Sequence, residues 1–161
     1  MQILVIRHAP AEDLSDLHAS DGERPLTSKG RRLFREFAQR IMKPDQAPEL
    51  ILHSPLVRTT QTAEILRDVT GLPAESMRAE SRIRPGMSVQ QLIQAVQEYS
   101  ERRIAVVGHN PDVSYCTSQL VGGCSVEFKK GSIASIDFSG TPAPGQGRLN
   151  WFISPKVLVD D

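Results

Sequence analysis

Four residues far apart in the chain have the types to work on a phosphoryl group together: Arg7, His8, Arg58 and His109. A neutral imidazole is a competent nucleophile toward phosphorus and can carry a covalent intermediate. It needs one ring nitrogen free and the other held as a donor, usually by a backbone carbonyl. Two guanidinium groups can grip phosphoryl oxygens through forked, charge-assisted hydrogen bonds. In phosphoryl transfer most of the catalysis is positioning and electrostatics of this kind. His109 would add a third contact as an imidazolium, and a phosphate beside it would raise its pKa. The sequence Asn110-Pro111-Asp112 opens a helix whose N-terminus would bring backbone donors and the positive end of a dipole to the same place.

The elements around these residues must bring them together. Ile3-Leu4-Val5-Ile6 is a short apolar run that ends in Arg7-His8, and Ile104-Ala105-Val106-Val107-Gly108 ends in His109. Each histidine therefore follows a strand, over 2–7 and 103–108. A third strand, Leu50-Ile51-Leu52-His53, leads into the segment that carries Arg58. Open α/β sheets bind ligands at the carboxyl ends of their strands, so all four residues are expected at one sheet edge.

Helices alternate with these strands. Residues 28–42 place Leu33, Phe34, Phe37, Ala38, Ile41 and Met42 on one face. Ser54-Pro55 predicts a helix start, with Ser54 as N-cap, and Gly71 predicts its end. A weak strand is expected near 75–79. Ser88 and Gln91 have capping-box spacing ahead of Leu92, Ile93 and Val96. A further helix runs from Pro111 to about Leu120, closed by Gly122-Gly123. Residues 132–138 and 148–154 read as two strands joined by a Pro- and Gly-rich turn. This order predicts a three-layer α/β/α sandwich with a mostly parallel central sheet and an antiparallel segment at one edge. The irregular stretches 9–26 and 71–88 are candidate walls of the site.

Bulk properties exclude several classes. The 161 residues suggest a single domain over 1–161. Nineteen basic and nineteen acidic residues cancel, so a general attraction to nucleic acid or anionic membrane is not expected. No apolar run reaches the length of a membrane span, and no secretory pattern is present. Cys116 and Cys124 are too few for a disulfide framework and read as packed thiols. A cytoplasmic protein is expected. No Cys/His spacing suggests zinc and no glycine-rich nucleotide loop occurs, so no metal and no cofactor are expected.

These residues carry a resemblance. Arg7-His8-Ala9, the long segment from Ser54-Pro55-Leu56-Val57-Arg58 through Thr59-Thr60-Gln61-Thr62-Ala63-Glu64, Gly108-His109-Asn110 and Arg24-Pro25-Leu26-Thr27 are similar to the motifs of the histidine phosphatase superfamily, with its phosphoglycerate-mutase-like fold. The resemblance runs through essentially the whole chain. It implies that His8 is the phosphorylated nucleophile and that Arg7, Arg58 and His109 form the phosphate pocket. Arg24 and Asn110 are further substrate-binding candidates; a structural salt bridge is the alternative for Arg24. Within the superfamily the chain most resembles the SixA-type phosphohistidine phosphatases. Its shortness leaves little room for insertions that close over a small substrate.

The acidic residue that many relatives carry in a Leu-x-Glu-x-x-x-Gly pattern is absent from Glu80-Ser81-Arg82-Ile83-Arg84-Pro85-Gly86; Glu80 is nearest and reads as structural. An alkoxide leaving group benefits about a hundred- to ten-thousandfold from a general acid. An imidazole leaves more readily, because its conjugate acid has a pKa of about 6.5. A site without a strong acid should favour P–N bonds.

The expected substrate is therefore a phosphohistidine-bearing phosphorelay or phosphocarrier protein, met by a monomer. A small-molecule phosphomonoesterase of the same fold is the runner-up, and a non-catalytic phosphate-binding module is a third reading. Ala9 stands where the superfamily usually has glycine, which predicts a modest change in pocket shape. His53 reads as a strand-end residue and His18 as part of a polar loop. Lys129-Lys130 reads as a solvated turn or a contact for an acidic protein partner.

Overall fold

The computed structural model describes residues 1–14 and 20–159; His18 lies outside them. Among the described residues, six strands form one sheet: β1 (Gln2–Arg7), β2 (Leu50–His53), β3 (Met77–Ala79), β4 (Arg103–Gly108), β5 (Ile133–Asp137) and β6 (Arg148–Ile153), in the order β3-β2-β4-β1-β5-β6. The first four are mutually parallel, while β5 runs antiparallel to β1 and β6 antiparallel to β5. The layered α/β fold and its antiparallel edge are as expected from the sequence.

Alternation along the buried strands assigns each residue to one of two cores. Ile3, Val5, Leu52 and Val106 face a layer built on α3 (Val89–Gln97) and α4 (Asp112–Val121), with Leu92, Val96 and Leu120. Leu4, Ile6, Ile51 and Val107 face α1 (Ser28–Ile41) and α2 (Val57–Thr70), with Phe34, Phe37 and Leu66. Burying a side chain of this size contributes about 1.5–3 kcal/mol. Register then fixes the site. Arg7 pairs with Gly108 and His53 with Val107, so His8, Ser54 and His109 leave the sheet side by side.

Local signals explain the helices, with two corrections. Thr27 caps α1 by accepting from Gly30 N at 2.8 Å. Gly30 is required there, because a Cβ would lie 2.2 Å from the Pro10 carbonyl oxygen. That close approach clamps α1 onto the loop after His8. The capping box of Ser88 and Gln91 is present, and Gly71 and Gly122 end α2 and α4 in the left-handed conformation. Ser54, however, is not the cap of α2. The helix starts at Val57, with Leu56 at the N-cap and no side-chain cap bond. Ser54 spends its carbonyl on the Thr59 hydroxyl and its Oγ on Leu56 N, which makes an extended step before the helix. The weak strand near 75–79 is shorter than expected. Residues 74–76 form a 3-10 turn, and only Met77–Ala79 pair with β2.

Candidate active site

His8 is 7 % exposed. Its Nδ1 lies 2.8 Å from the Ala9 carbonyl oxygen. A carbonyl only accepts, so Nδ1 carries the proton and Nε2 keeps its lone pair. Burial is the main force lowering its pKa to about 3. The Ala9 bond opposes that shift, while the charges of His109, Arg58 and Arg7 add to it. At neutral pH the ring is uncharged and nucleophilic.

His109 faces it, with ring centroids 5.5 Å apart and planes tilted by 59°. It is 4 % exposed, and neither ring nitrogen has a hydrogen-bond partner among the described residues. Burial first, then the charge of Arg58, lowers its pKa to about 4. Asp21 pulls it upward and Arg24 downward. The Nε atoms of Arg7 and Arg58 are likewise buried and unpartnered among the described residues. A buried polar group left unpaired costs about 1–3 kcal/mol, so this cluster of donors is suited to a tetrahedral oxyanion. Two guanidinium groups and an imidazole beside a neutral imidazole nucleophile can hold and transfer a phosphoryl group.

Residues 3–84 match the family model of the histidine phosphatase superfamily, branch 1. The chain belongs to the histidine phosphatase superfamily. It is 31 % identical to the phosphohistidine phosphatase SixA of Escherichia coli, over 98 % of this chain and 96 % of that one. It is 34 % identical to an uncharacterized protein of Picosynechococcus, over 99 % of each chain. The structure of the protein histidine phosphatase SixA complexed with tungstate superposes with a TM-score of 0.85 at 30 % identity, covering 99 % of this chain and 100 % of that one. A mycobacterial glucosyl-3-phosphoglycerate phosphatase with inorganic phosphate superposes at 0.69 and 16 % identity, over 96 % and 98 %, which is a likeness of fold. The chain is thus a SixA-like phosphatase of the hydrolase class.

The superfamily motif after Ser54 has a structural logic that runs beyond Arg58. Gln61 Oε1 accepts from Leu26 N at 2.8 Å, tying the Arg24-Pro25-Leu26-Thr27 segment to α2. Thr62 Oγ1 accepts from Ala9 N at 3.1 Å and donates to Arg58 O at 2.7 Å, tying the loop after His8 to the helix that carries Arg58. Ala9 fits without backbone strain, since no non-glycine residue among those described has positive φ.

The remaining candidates divide. Arg24 donates from Nε to Asp21 Oδ1 at 2.8 Å and from Nη1 to Glu12 O at 2.6 Å; it is engaged by protein, yet close enough to lower His109. Asn110 donates to Phe128 O at 3.5 Å and accepts from the Ser114 hydroxyl at 2.9 Å. The same Phe128 carbonyl accepts from Arg7 Nη1 at 2.7 Å, so Asn110 and Arg7 share an anchor. Glu80 is gripped by Arg82 through Nε at 2.9 Å and Nη2 at 2.6 Å, and these bonds hold its carboxyl below the usual range. An ionised, paired carboxylate is no general acid.

Sequence reasoning missed Asp21. Its backbone oxygen accepts from Arg58 Nη1 at 2.8 Å and its Oδ2 from Arg58 Nη2 at 3.0 Å, while Oδ1 pairs with Arg24 at 2.7 Å. Partial burial pushes its pKa up, but the hydrogen bonds and charges of Arg24 and Arg58 outweigh that and keep it ionised. A lone aspartate at the start of a short 3-10 turn has no periodic signal. The Phe128 carbonyl carries no side-chain signal at all.

Proposed function

We propose that this phosphatase removes the phosphoryl group from phosphohistidine on a protein, through a covalent intermediate on His8. His8 Nε2 attacks phosphorus, and the P–N bond to the substrate imidazole breaks. That imidazole leaves with a proton drawn from solvent or from His109, whose imidazolium form a bound phosphate favours. Water then attacks phospho-His8, releasing inorganic phosphate and restoring the neutral ring. Arg7, Arg58 and His109 carry the oxygen charges throughout, so the scheme uses no metal.

The observation that carries this reading is the protonated Nδ1 of buried His8, held by Ala9 O amid three cationic or potentially cationic side chains. The choice of a P–N bond rests on the acids nearby. Glu80 and Asp21 are both held ionised by arginines, so neither is a carboxylic acid ready to protonate an alkoxide. The likeness to SixA across nearly the whole chain supports the same choice. The substrate would be a phosphorelay or phosphocarrier domain in the cytoplasm, approached by a monomer.

The test is a ranking of kcat/KM. A phosphohistidine protein should exceed p-nitrophenyl phosphate and sugar phosphates by at least about a hundredfold, the lower value of a general acid. The reverse ranking would identify a phosphomonoesterase.

A further inference from the structure

A concave feature that has Arg7 in its wall is not used by the chemistry above. It is a cavity of about 410 Å³ whose described lining has an apolar floor of Pro10, Leu33, Phe34 and Pro155 and a cationic rim of Lys129, Lys130 and Lys156, with Arg7 also in its wall. No acidic residue is among the described lining residues. In a chain whose charges cancel, that is a local segregation of charge.

Topology puts this cavity beside the nucleophile. Because β5 is antiparallel to β1, the turn before it sits where β1 ends; because β6 is antiparallel to β5, the chain after it returns to the same edge. The turn is bonded to the catalytic strand itself. Gly131 N donates to the carbonyl oxygens of Arg7 and His8 at 3.2 and 3.0 Å, and the preceding Phe128 carbonyl anchors Arg7 Nη1. Gly131 has φ +83, and a Cβ there would lie 3.0 Å from Pro155, so the turn is pressed against the β6 exit. All three rim lysines are exposed, and Lys129 is paired with Glu127 outside the lining.

An inorganic anion would contact the rim alone and leave the floor wet. An acidic side chain carried on an apolar segment would cover both. We propose that this cavity docks an Asp or Glu of the phosphohistidine-bearing protein, so that the substrate is selected by the charge around its phosphohistidine as well as by the phosphoryl group. This inference rests on the phosphohistidine reading above. It explains how the site can prefer one protein: complementary charge sets encounter and register, while the phosphate cage sets the chemistry.

The experiment uses the full chain and its Lys130→Glu/Lys156→Glu variant against three probes. These are a phosphohistidine phosphotransfer domain with acidic residues flanking its histidine, the same domain with those acids changed to amides, and phosphoramidate. Binding of both unphosphorylated domains is titrated at low and high salt. The unchanged enzyme should prefer the acidic domain, with the preference fading as salt rises. The double variant should lose at least about tenfold in kcat/KM on the acidic domain, mainly through KM, and keep its turnover of phosphoramidate. An unaltered preference in the variant, or an equal loss on phosphoramidate, overturns the docking proposal and leaves the phosphohistidine reading intact. Hydrolysis of phosphomonoesters but of no phosphohistidine domain overturns that reading instead. In that case salt-sensitive binding of the unphosphorylated acidic domain, lost in the variant, still supports the docking surface, and its absence overturns it.

Discussion

His8 and His53 are near copies in local structure. His8 directly follows β1 and His53 closes β2, both at the carboxyl end of the parallel strands, and each is buried. Each places Nδ1 2.8 Å from the carbonyl oxygen of the next residue, and in each burial is the first cause of a lowered pKa. Their neighbours differ. His8 feels His109, Arg58 and Arg7, whereas His53 feels the opposite charge of Glu64 and lies 3.4 Å from the Thr60 hydroxyl. A strand-end histidine bonded to its own backbone is a prepared imidazole. The cationic cage, supplied by other elements, is what suits one of the two to phosphorus.

The sharpest break in that comparison is substitution. His8→Ala should lower kcat by at least about 10⁴-fold with the fold retained, as loss of a nucleophile does. His53→Ala should leave kcat/KM within about threefold and instead cost about 1–3 kcal/mol of stability, since it removes a buried hydrogen-bonded group. Comparable activity losses in the two variants would erase the distinction. Arg58→Ala comes next. It should lower kcat/KM by about 10²–10³-fold and weaken vanadate inhibition in parallel, the scale set by one lost charge-stabilising donor group. Unchanged vanadate inhibition would remove Arg58 from the clamp.

Asp21→Asn should have a smaller effect, about tenfold in kcat/KM, because Arg58 and Arg24 lose one charged acceptor but keep an amide oxygen. Its second signature is directional. Asp21 holds the His109 pKa up, so removing its charge should move the alkaline limb of the pH profile, where the His109 imidazolium is lost, to lower pH. A limb that stays in place would argue that the two groups do not interact.

The last effect is on stability. His8 and His109 titrate near 3 and 4 in the folded chain, against an ordinary value of 6.5. Between those limits the unfolded chain binds more protons. Stability is therefore complete above about pH 6.5 and falls as pH drops toward 4 and then 3, by an amount on the order of a few kcal/mol. Urea midpoints across that range measure it, and His8→Ala should flatten part of the slope.

Much of this molecule could be read along the chain. Strand ends, the α1 stripe, the capping box and the closing glycines are local, and local spacing encodes them. The placing of Arg7, His8, Arg58 and His109 at one end of the sheet was legible, because Arg7 closes β1, His8 and His109 follow strands, and Arg58 lies in the first turn of the helix after β2. The start of α2 was misread because Ser54 has the residue type of a cap while its oxygens are spent on Thr59 and Leu56. Asp21 was invisible because its role depends on Arg58, which is distant in sequence and meets it only across a loop and a helix.

The sequence by itself determined the layered fold, the sheet edge and the residues able to do chemistry there, since periodicity and strand ends are one-dimensional properties. Tertiary structure decided which of two similarly prepared imidazoles sits among cations, which carboxylates are locked by arginines, and where lysines gather beside an apolar floor. Those outcomes depend on burial and on charges brought close by parallel register, and neither distance nor dielectric is written in the order of the residues.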